Sequence, residues 1–282
     1  MPAGEDAMAS PYWDEKLAER YRGFRYEFAE QALRGRVVIV AGGTGGLGAA
    51  TVSLLAREGA RLVVGYRENR ARAEALRKTI VEQYGGAPLL VEGDVIRPEV
   101  RRAYRDAAAE LGEPPCGVVI FSGDPARVKW ESLDAAALEE SLRANYVAPI
   151  LLAKELGSAM EQSSAGGSLI LLATMQAVAA FESSLNYAGP KAALAHAARI
   201  LAKQWQHVRV NVVAPGATVV GMAETSVSSG KYDPYVASGA IPRFGRPEDV
   251  ARAVRFLLEP DNYTTGQVLV VDGGLTLGRD RG

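Results

Sequence analysis

The segment Val37-Val38-Ile39-Val40-Ala41-Gly42-Gly43-Thr44-Gly45-Gly46-Leu47-Gly48 decides the fold of this chain. Its first residues are apolar and β-branched and predict a buried strand, while residues 49–59 predict a helix that ends at a glycine. Gly42 allows a tight turn, Gly46 lets a phosphate approach the main chain, and Gly48 lets the helix lie close to the strand. Because a helix N-terminus presents free N–H groups, the segment predicts a binding site for a dinucleotide pyrophosphate.

The same alternation of strand and helix continues to the end of the chain. Apolar runs predict further strands at Leu62–Val64, Leu89–Val91, Val118–Phe121, Ser168–Ala173, Val208–Val213 and Val268–Val271. Helical patterns lie between them at 70–84, 99–111, in a long stretch through residue 156, and at 187–205 and 247–258. Strands that are apolar on both faces predict an α/β fold: a Rossmann-like, doubly wound, seven-stranded parallel sheet with helices on both faces. We expect one domain over 35–282.

Residues 1–34 precede this pattern and predict a helical arm. Ser10 and Pro11 suit a helix start, and the spacing of Tyr21, Phe24 and Phe28 suits one helix face. We expect the arm to pack on its own domain or on a partner subunit. A membrane-surface helix is the weaker alternative, because acids and bases are mixed on its polar side.

Composition excludes several classes of function. The net charge is −1, which argues against a nucleic-acid partner. One cysteine, Cys116, allows no intrachain disulfide, and with only two histidines we expect no metal site. We find no signal-peptide pattern and no apolar run long enough for a membrane span, so the expected location is cytoplasmic, with no membrane partner.

The end of the second strand bears on cofactor choice. An acid about 20 residues after the glycines would favour NAD, since it would bond the ribose hydroxyls. Here the sequence is Gly65-Tyr66-Arg67-Glu68-Asn69-Arg70, with no acid at the strand terminus. Arg67 and Arg70 are suited to pair with a 2′-phosphate, so NADP(H) is favoured. NAD(H) remains possible, because Glu68 could serve it.

Tyr187 and Lys191 are four residues apart at the start of a predicted helix, so they share one face. An unperturbed phenol has a pKa near 10, too high for efficient proton exchange at neutral pH. We expect the Lys191 ammonium to lower the pKa of Tyr187. A tyrosine and a lysine at this spacing occur by chance in many helices. The pair indicates a catalytic site only in combination with the glycine turn.

Taken together, residues 35–277 resemble the short-chain dehydrogenase/reductase family, in particular its single-domain branch similar to 3-oxoacyl reductases. The resemblance implies a catalytic set of Asn145, Thr174, Tyr187 and Lys191, in which Thr174 stands where the family usually has serine. It also implies a homotetramer and a variable substrate loop, here residues 219–240. The cofactor-binding residues implied by the resemblance and the glycine turn are Gly42, Thr44, Gly45, Gly46, Leu47, Gly48, Tyr66, Arg67, Asp94, Val95, Ser122, Gly123, Tyr187, Lys191, Pro215, Gly216 and Thr218.

Two further departures from the family pattern affect the expected site. Ile120-Phe121-Ser122-Gly123 replaces the family's Asn-Asn-Ala-Gly, which removes polar side chains after the fourth strand. Val220 replaces a threonine that contacts the cofactor's carboxamide in relatives, with Thr218 nearby. These changes favour a specialised enzyme over a housekeeping fatty-acid reductase.

The predicted function is NADP(H)-dependent interconversion of a ketone and a secondary alcohol, with Tyr187 as general acid/base and a small carbonyl or alcohol compound as substrate. The alternative is a catalytically weak or inactive dinucleotide-binding sensor or scaffold, which the altered 120–123 segment and Thr174 favour. An enoyl reductase is less favoured, because those relatives usually space the tyrosine and lysine more widely. Epimerases of the extended branch need a larger C-terminal domain than this chain has room for.

Overall fold

The computed structural model describes residues 12–112, 114–163, 165–182 and 184–278. Its strands form one parallel sheet in the order β3-β2-β1-β4-β5-β6-β7. They are β1 (Val37–Ala41), β2 (Arg61–Tyr66), β3 (Leu89–Glu92), β4 (Gly117–Ile120), β5 (Gly167–Leu172), β6 (Val208–Pro215) and β7 (Val268–Val271). The expected seven-stranded doubly wound sheet is confirmed. The strand order reverses between β1 and β4, so their carboxyl ends open a crevice.

Helices cover both faces of the sheet. The helices of the described residues are α1 (Glu15–Arg22), which lies in the segment before residue 33, and, in the part of the chain that holds the sheet, α2 (Gly46–Arg57), α3 (Arg70–Tyr84), α4 (Pro98–Glu110), α5 (Ala135–Leu142), α6 (Ala148–Glu161), α7 (Leu185–Gln204), α8 (Glu224–Ser228), α9 (Asp233–Ala237) and α10 (Pro247–Leu258). Alternate residues of β1 enter two separate cores: Ile39 packs with α4, α6 and α7, while Val40 packs with α2 and α10. This arrangement explains why the strands are apolar on both faces.

The long helical stretch predicted to end near residue 156 is not continuous. A turn of π-helix, Arg143–Val147, separates α5 from α6, and it contains the buried Asn145. Turns of this kind are rare and occur frequently at functional sites. The helix after the glycine turn also begins earlier than expected, at Gly46 inside the turn itself.

Residues 1–32 and 33–282 form two separate units. In the first unit, Asp14 caps α1 by accepting a 3.0 Å hydrogen bond from the Leu17 N–H. The helix ends at Gly23, and Phe24 has a φ of +56°. The prediction that Tyr21, Phe24 and Phe28 share a helix face is therefore wrong, because the backbone has left the helix. The predicted start at Ser10 and Pro11 lies outside the described residues.

Within the described ranges, no helix is both long enough and apolar enough to cross a membrane.

Candidate active site

The glycine turn holds β1, α2 and β4 in close contact. Gly42 has a φ of +76°, and a Cβ at this position would lie 3.1 Å from the Ser122 nitrogen. A Cβ at Gly48 would lie 2.4 Å from the Gly42 carbonyl oxygen, so only glycine allows α2 to approach the turn. The N-cap residue of α2 is Gly45, which has no side chain to occupy the first N–H groups of the helix. Those groups face the crevice at the carboxyl ends of β1 and β4.

Two observations at this turn fit a dinucleotide. A Cβ at Gly46 would lie 2.8 Å from the Val220 Cβ and 2.9 Å from the Gly221 nitrogen, so main chain and loop form a narrow cradle. The Ser122 Oγ, at the end of β4, is buried and has no hydrogen-bond partner among the described residues. A buried hydroxyl without a partner is costly and is explained most simply by a ligand group.

The ends of β2 and β3 lie beside the turn. The Tyr66 hydroxyl donates to Glu92 Oε2 at 2.8 Å, and burial is the main cause that raises the pKa of Tyr66. On the surface, Arg67 Nε donates to Glu68 Oε1 at 3.0 Å. Arg67, which favours NADP(H), and Glu68, which could serve NAD(H), therefore pair with each other. The Asp94 carboxylate accepts from the Ile96 N–H at 3.0 Å and so orders its own loop.

Sequence reasoning missed Arg72 in this region. Its Nε donates to the Thr44 carbonyl oxygen at 2.6 Å, which ties the first turn of α3 to the glycine turn. The contact spans 28 residues. In the sequence, Arg72 is marked only as a basic residue shortly after β2. Arg67 and Arg70 share that feature, so it did not single out Arg72.

One cavity of about 290 Å³ joins the glycine turn to the predicted catalytic hydroxyls. Thr174 follows β5, and its Oγ1 accepts from the Gln176 N–H at 3.4 Å. Tyr187 lies in the first turn of α7. Of the predicted site residues, those lining this cavity are Gly42, Gly45, Gly46, Leu47, Gly48, Thr174, Tyr187, Pro215, Gly216 and Thr218.

Lys191 and Asn145 lie in the protein interior next to Gly123. A Cβ at Gly123 would lie 2.7 Å from Asn145 Oδ1 and 3.0 Å from Lys191 Nζ, so these groups meet at that glycine. Lys191 Nζ donates to the Leu172 carbonyl oxygen at 3.0 Å. Asn145 Oδ1 accepts from the Asp124 N–H at 3.0 Å, and its amide donates to Ser141 Oγ at 3.3 Å. Both side chains are thereby fixed in orientation.

The expected effect of Lys191 on Tyr187 is not what the structure gives. Burial, with a smaller contribution from the Asp124 charge, raises the pKa of Tyr187 to about 12. Burial also lowers the pKa of Lys191 to about 8. Lys191 Nζ lies 5.9 Å from the Tyr187 ring centroid and bonds main chain instead. The prediction of a lowered phenol pKa is therefore wrong for this state, because the desolvation of the phenolate dominates.

The outer wall of the cavity comes from residues that the sequence did not single out for chemistry. The Tyr187 hydroxyl lies 3.9 Å from Met222 Sδ, and the Met222 carbonyl accepts a hydrogen bond from Arg127 Nη2. Gln176 and Tyr232 also line this wall. Met222 and Tyr232 belong to the predicted 219–240 loop, but Arg127 is 95 residues from its partner and no local pattern marks it.

Comparison with known proteins places this geometry in a family. The family model described as "Enoyl-(Acyl carrier protein) reductase" matches residues 41–276. The chain is 28% identical to the NADPH-dependent aldehyde reductase 2, chloroplastic, of Arabidopsis thaliana over 260 residues, which cover 87% of this chain and 95% of the relative.

Solved structures agree with this match. A short-chain type dehydrogenase/reductase from Mycobacterium ulcerans superposes with a TM-score of 0.81 at 25% identity, over 88% of this chain and 92% of that one. A 7 alpha-hydroxysteroid dehydrogenase complexed with NADH and 7-oxo glycochenodeoxycholic acid gives 0.79 at 25% identity, over 88% and 98%. The chain belongs to the short-chain dehydrogenase/reductase family, whose members are NAD(P)(H)-binding oxidoreductases of alcohol and carbonyl groups.

Proposed function

We propose that the protein interconverts a ketone and a secondary alcohol with NADP(H), and that Tyr187 exchanges the proton. The observation that carries the proposal is the single cavity in which the glycine turn, the Thr174 hydroxyl and the Tyr187 hydroxyl meet. A site for the cofactor's pyrophosphate and two hydroxyls for one substrate oxygen are the parts that this reaction requires.

In the reductive direction, Tyr187 donates its proton to the carbonyl oxygen as charge develops there. Thr174 donates a hydrogen bond to the same oxygen, which both holds the substrate and stabilises that charge. Lys191 and Asn145 meet at Gly123, where Lys191 would hold the cofactor's ribose and Asn145 would anchor a water that relays protons. The bound cofactor would supply the hydride, while the protein supplies orientation and electrostatics.

The pKa of Tyr187, about 12, suits the reductive direction. At neutral pH the phenol is protonated and ready to donate. In the oxidative direction the phenolate is the base, so we expect that rate to rise with pH through the neutral range.

NADP(H) is proposed over NAD(H) because Arg67, Arg70 and Arg72 surround the end of β2, where Tyr66 rather than an acid ends the strand. Glu68, the acid that could serve NAD(H), is exposed and pairs with Arg67. Steady-state kinetics with NADPH and NADH test this directly. We expect a higher kcat/KM for NADPH and a loss of that preference in Arg67→Ala; equal preference in the wild type would contradict the proposal.

The reaction itself is tested by Tyr187→Phe, which removes one hydroxyl. Turnover of a ketone panel, followed by NADPH absorbance, should fall by about 10²–10⁴-fold, the contribution typical of a general acid. Tyr263→Phe is the matched control, because Tyr263 is fully exposed. Wild-type turnover in the Tyr187 variant would overturn the mechanism.

A dinucleotide-binding sensor without turnover is the second candidate. The contact between Met222 Sδ and the Tyr187 hydroxyl favours it, since the loop covers the reacting group. Fluorescence titration with NADPH beside the ketone assay separates the two: tight binding with no turnover of any ketone identifies the sensor.

We also propose a homotetramer, by resemblance to the family. Light scattering on the full chain and on a variant lacking residues 1–34 measures the assembly and shows whether the arm contributes to it.

A further inference from the structure

Two cations line the outer end of the active-site cavity. Arg127 lies in the loop between β4 and α5, and Lys231 lies just before α9 in the 219–240 loop. Neither forms an ion pair with a carboxylate in the portions of the chain that the structure describes, and no acidic side chain from those portions lines the cavity. Arg127 uses one N–H on the Met222 carbonyl and keeps its other donors for a ligand, and Lys231 has three donors to offer.

Each cation contacts another residue that lines the cavity: Arg127 contacts Met222, and Lys231 contacts Tyr232. Arg127 donates to the carbonyl of Met222, and the sulfur of Met222 lies 3.9 Å from the Tyr187 hydroxyl. On the other side, Lys231 Nζ lies 5.9 Å from the centre of the Tyr232 ring. Both cations therefore line the cavity wall to which Met222 and Tyr232 belong.

Tyr232 lies beside Lys231 and lines the same cavity as both cations. It is 6% exposed, and its phenol bonds the side chain of Gln176. Burial raises the pKa of Tyr232, while the Gln176 bond and the charge of Arg127 oppose the rise. Arg127, Gln176, Lys231 and Tyr232 thus form one polar end, which we call the outer cluster. It offers N–H and O–H donors, and Arg127 has five N–H groups, of which Met222 takes one.

Two acids lie near these cations without lining the cavity. Asp233 is two residues from Lys231, and its Oδ2 would lie 3.1 Å from a Cβ at Gly230. Asp124 raises the pKa of Tyr187, but its Oδ1 accepts from the Ala126 N–H at 2.8 Å and the residue does not line the cavity. Its main-chain N–H contacts Asn145, on the inner side of the site. The Asp124 carboxylate therefore lies beside the main chain next to Arg127 and outside the cavity. Among the described residues, the charged side chains that line the cavity are Arg127 and Lys231, so an anionic end of a substrate meets no like charge there.

We propose that the outer cluster binds an anionic oxygen group, a carboxylate or a phosphate, on the carbonyl substrate, so that the enzyme acts on oxo acids and hydroxy acids rather than on neutral ketones. The proposal rests on the proposed function, because it assigns a substrate class to that same site. Arg127 binds planar anions through paired N–H groups and Lys231 adds a mobile point charge.

Matched pairs of compounds test the charge alone. Levulinate and methyl levulinate differ only in the anionic group, as do dihydroxyacetone phosphate and dihydroxyacetone. We expect kcat/KM with NADPH to be about tenfold or more higher for the anionic member of at least one pair, the size typical of a charge-assisted hydrogen bond. The pair that shows the larger ratio identifies a carboxylate or a phosphate as the group. Equal values within both pairs would overturn the proposal.

Variants assign the preference to the outer cluster. In Lys231→Gln and Arg127→Gln the ratio of anionic to neutral turnover should fall toward one, mainly through KM. Lys129→Gln is the control, since Lys129 lies two residues from Arg127 on the same loop, is exposed and does not line the cavity. Because Arg127 also holds Met222, the ratio and not the absolute rate is the readout for that variant. An unchanged ratio in both variants would place the anion elsewhere and refute the assignment.

A binding measurement separates this proposal from the reaction mechanism. Saturation-transfer NMR of levulinate against methyl levulinate, with the NADPH-loaded protein, needs no turnover. Stronger binding of levulinate that is lost in Lys231→Gln supports the outer cluster even if Tyr187→Phe leaves activity intact. Equal binding of the two compounds refutes the outer cluster even if the mechanism holds.

Discussion

The two ends of the active-site cavity are built in different ways. At the inner end, the glycine turn over residues 42–48 is in close contact with β4 and α2, and a Cβ added at Gly48 would lie 2.4 Å from a carbonyl oxygen. At the outer end, Arg127 is far along the chain from Met222 and Tyr232; its side chain donates to the Met222 carbonyl, and all three residues line the same cavity. We propose that the inner end determines the reaction class and that the outer end selects the substrate.

The largest effect on stability that this contrast predicts is at Gly48. In Gly48→Ala the new Cβ meets the Gly42 oxygen at 2.4 Å and the Gly43 Cα at 2.8 Å, and both are backbone atoms that cannot move independently. We expect a loss of about 3 kcal/mol in stability, at the upper end for overpacking. A loss of the same free energy from NADPH binding would make that binding about 100-fold weaker.

Urea unfolding and NADPH titration measure the two quantities. Gly86→Ala is the matched control, because a Cβ there meets nothing within 4 Å. We expect that control to change stability by no more than about 0.5 kcal/mol. Equal behaviour of the two variants would show that the inner end is not rigid.

The second prediction concerns the Thr174 hydroxyl, where the two ends meet. Thr174→Val keeps the shape and removes the donor, and we expect kcat to fall by about 10²–10³-fold, as for loss of one donor to a developing oxyanion. Thr174→Ser keeps the hydroxyl and removes a methyl group, and should stay within about tenfold of the wild type. Steady-state kinetics on one ketone decides between them. Similar losses in both variants would mean that Thr174 acts by packing.

The inner end was accessible from sequence because its contacts are local. Strand, glycine turn and helix follow one another between residues 37 and 57, and Tyr187 and Lys191 lie in adjacent turns of α7. Each of these depends on backbone geometry that a few neighbouring residues determine. The seven-stranded sheet followed from the same logic, because apolar runs separated by helices allow few other arrangements.

What the sequence could not predict depends on burial or on long-range contact. The π-helical turn at Arg143–Val147 interrupts a segment with ordinary helix-forming residues. The raised pKa of Tyr187 comes from desolvation, which spacing along a helix does not reveal. The Arg72–Thr44 and Arg127–Met222 contacts join residues 28 and 95 positions apart.

Met222 offers a smaller test, confined to the outer end. Its sulfur lies 3.9 Å from the Tyr187 hydroxyl, so a bulky substrate must displace this side chain. In Met222→Ala we expect the ratio of kcat/KM for a bulky ketone over a small one to rise about tenfold, the effect of a methylene or two in a pocket. Met222→Leu keeps the volume and serves as the control. A ratio that rises equally in both variants would show that the thioether's volume is not what limits access.

The smallest expected effect is a change in the pH dependence of the rate when Asp124 is substituted. This change should differ between the oxidative and the reductive direction. The charge of Asp124 adds to burial in raising the pKa of Tyr187, so Asp124→Asn should lower that pKa. In the oxidative direction the phenolate is the base, and its fraction below the pKa increases when the pKa falls. The alcohol oxidation rate at a fixed pH near 8 should therefore rise, by less than the roughly tenfold that one full pKa unit would give.

In the reductive direction the same variant should show almost no change at neutral pH, because a phenol with a pKa of about 12 is protonated there before and after the substitution. The Asp124 main-chain N–H that contacts Asn145 is retained in the variant. Asp106→Asn, on the exposed surface of α4, controls for a general loss of negative charge. pH–rate profiles in both directions measure the asymmetry. Equal shifts in oxidation and reduction would mean that Asp124 acts on the substrate or the loop and not through the Tyr187 phenol.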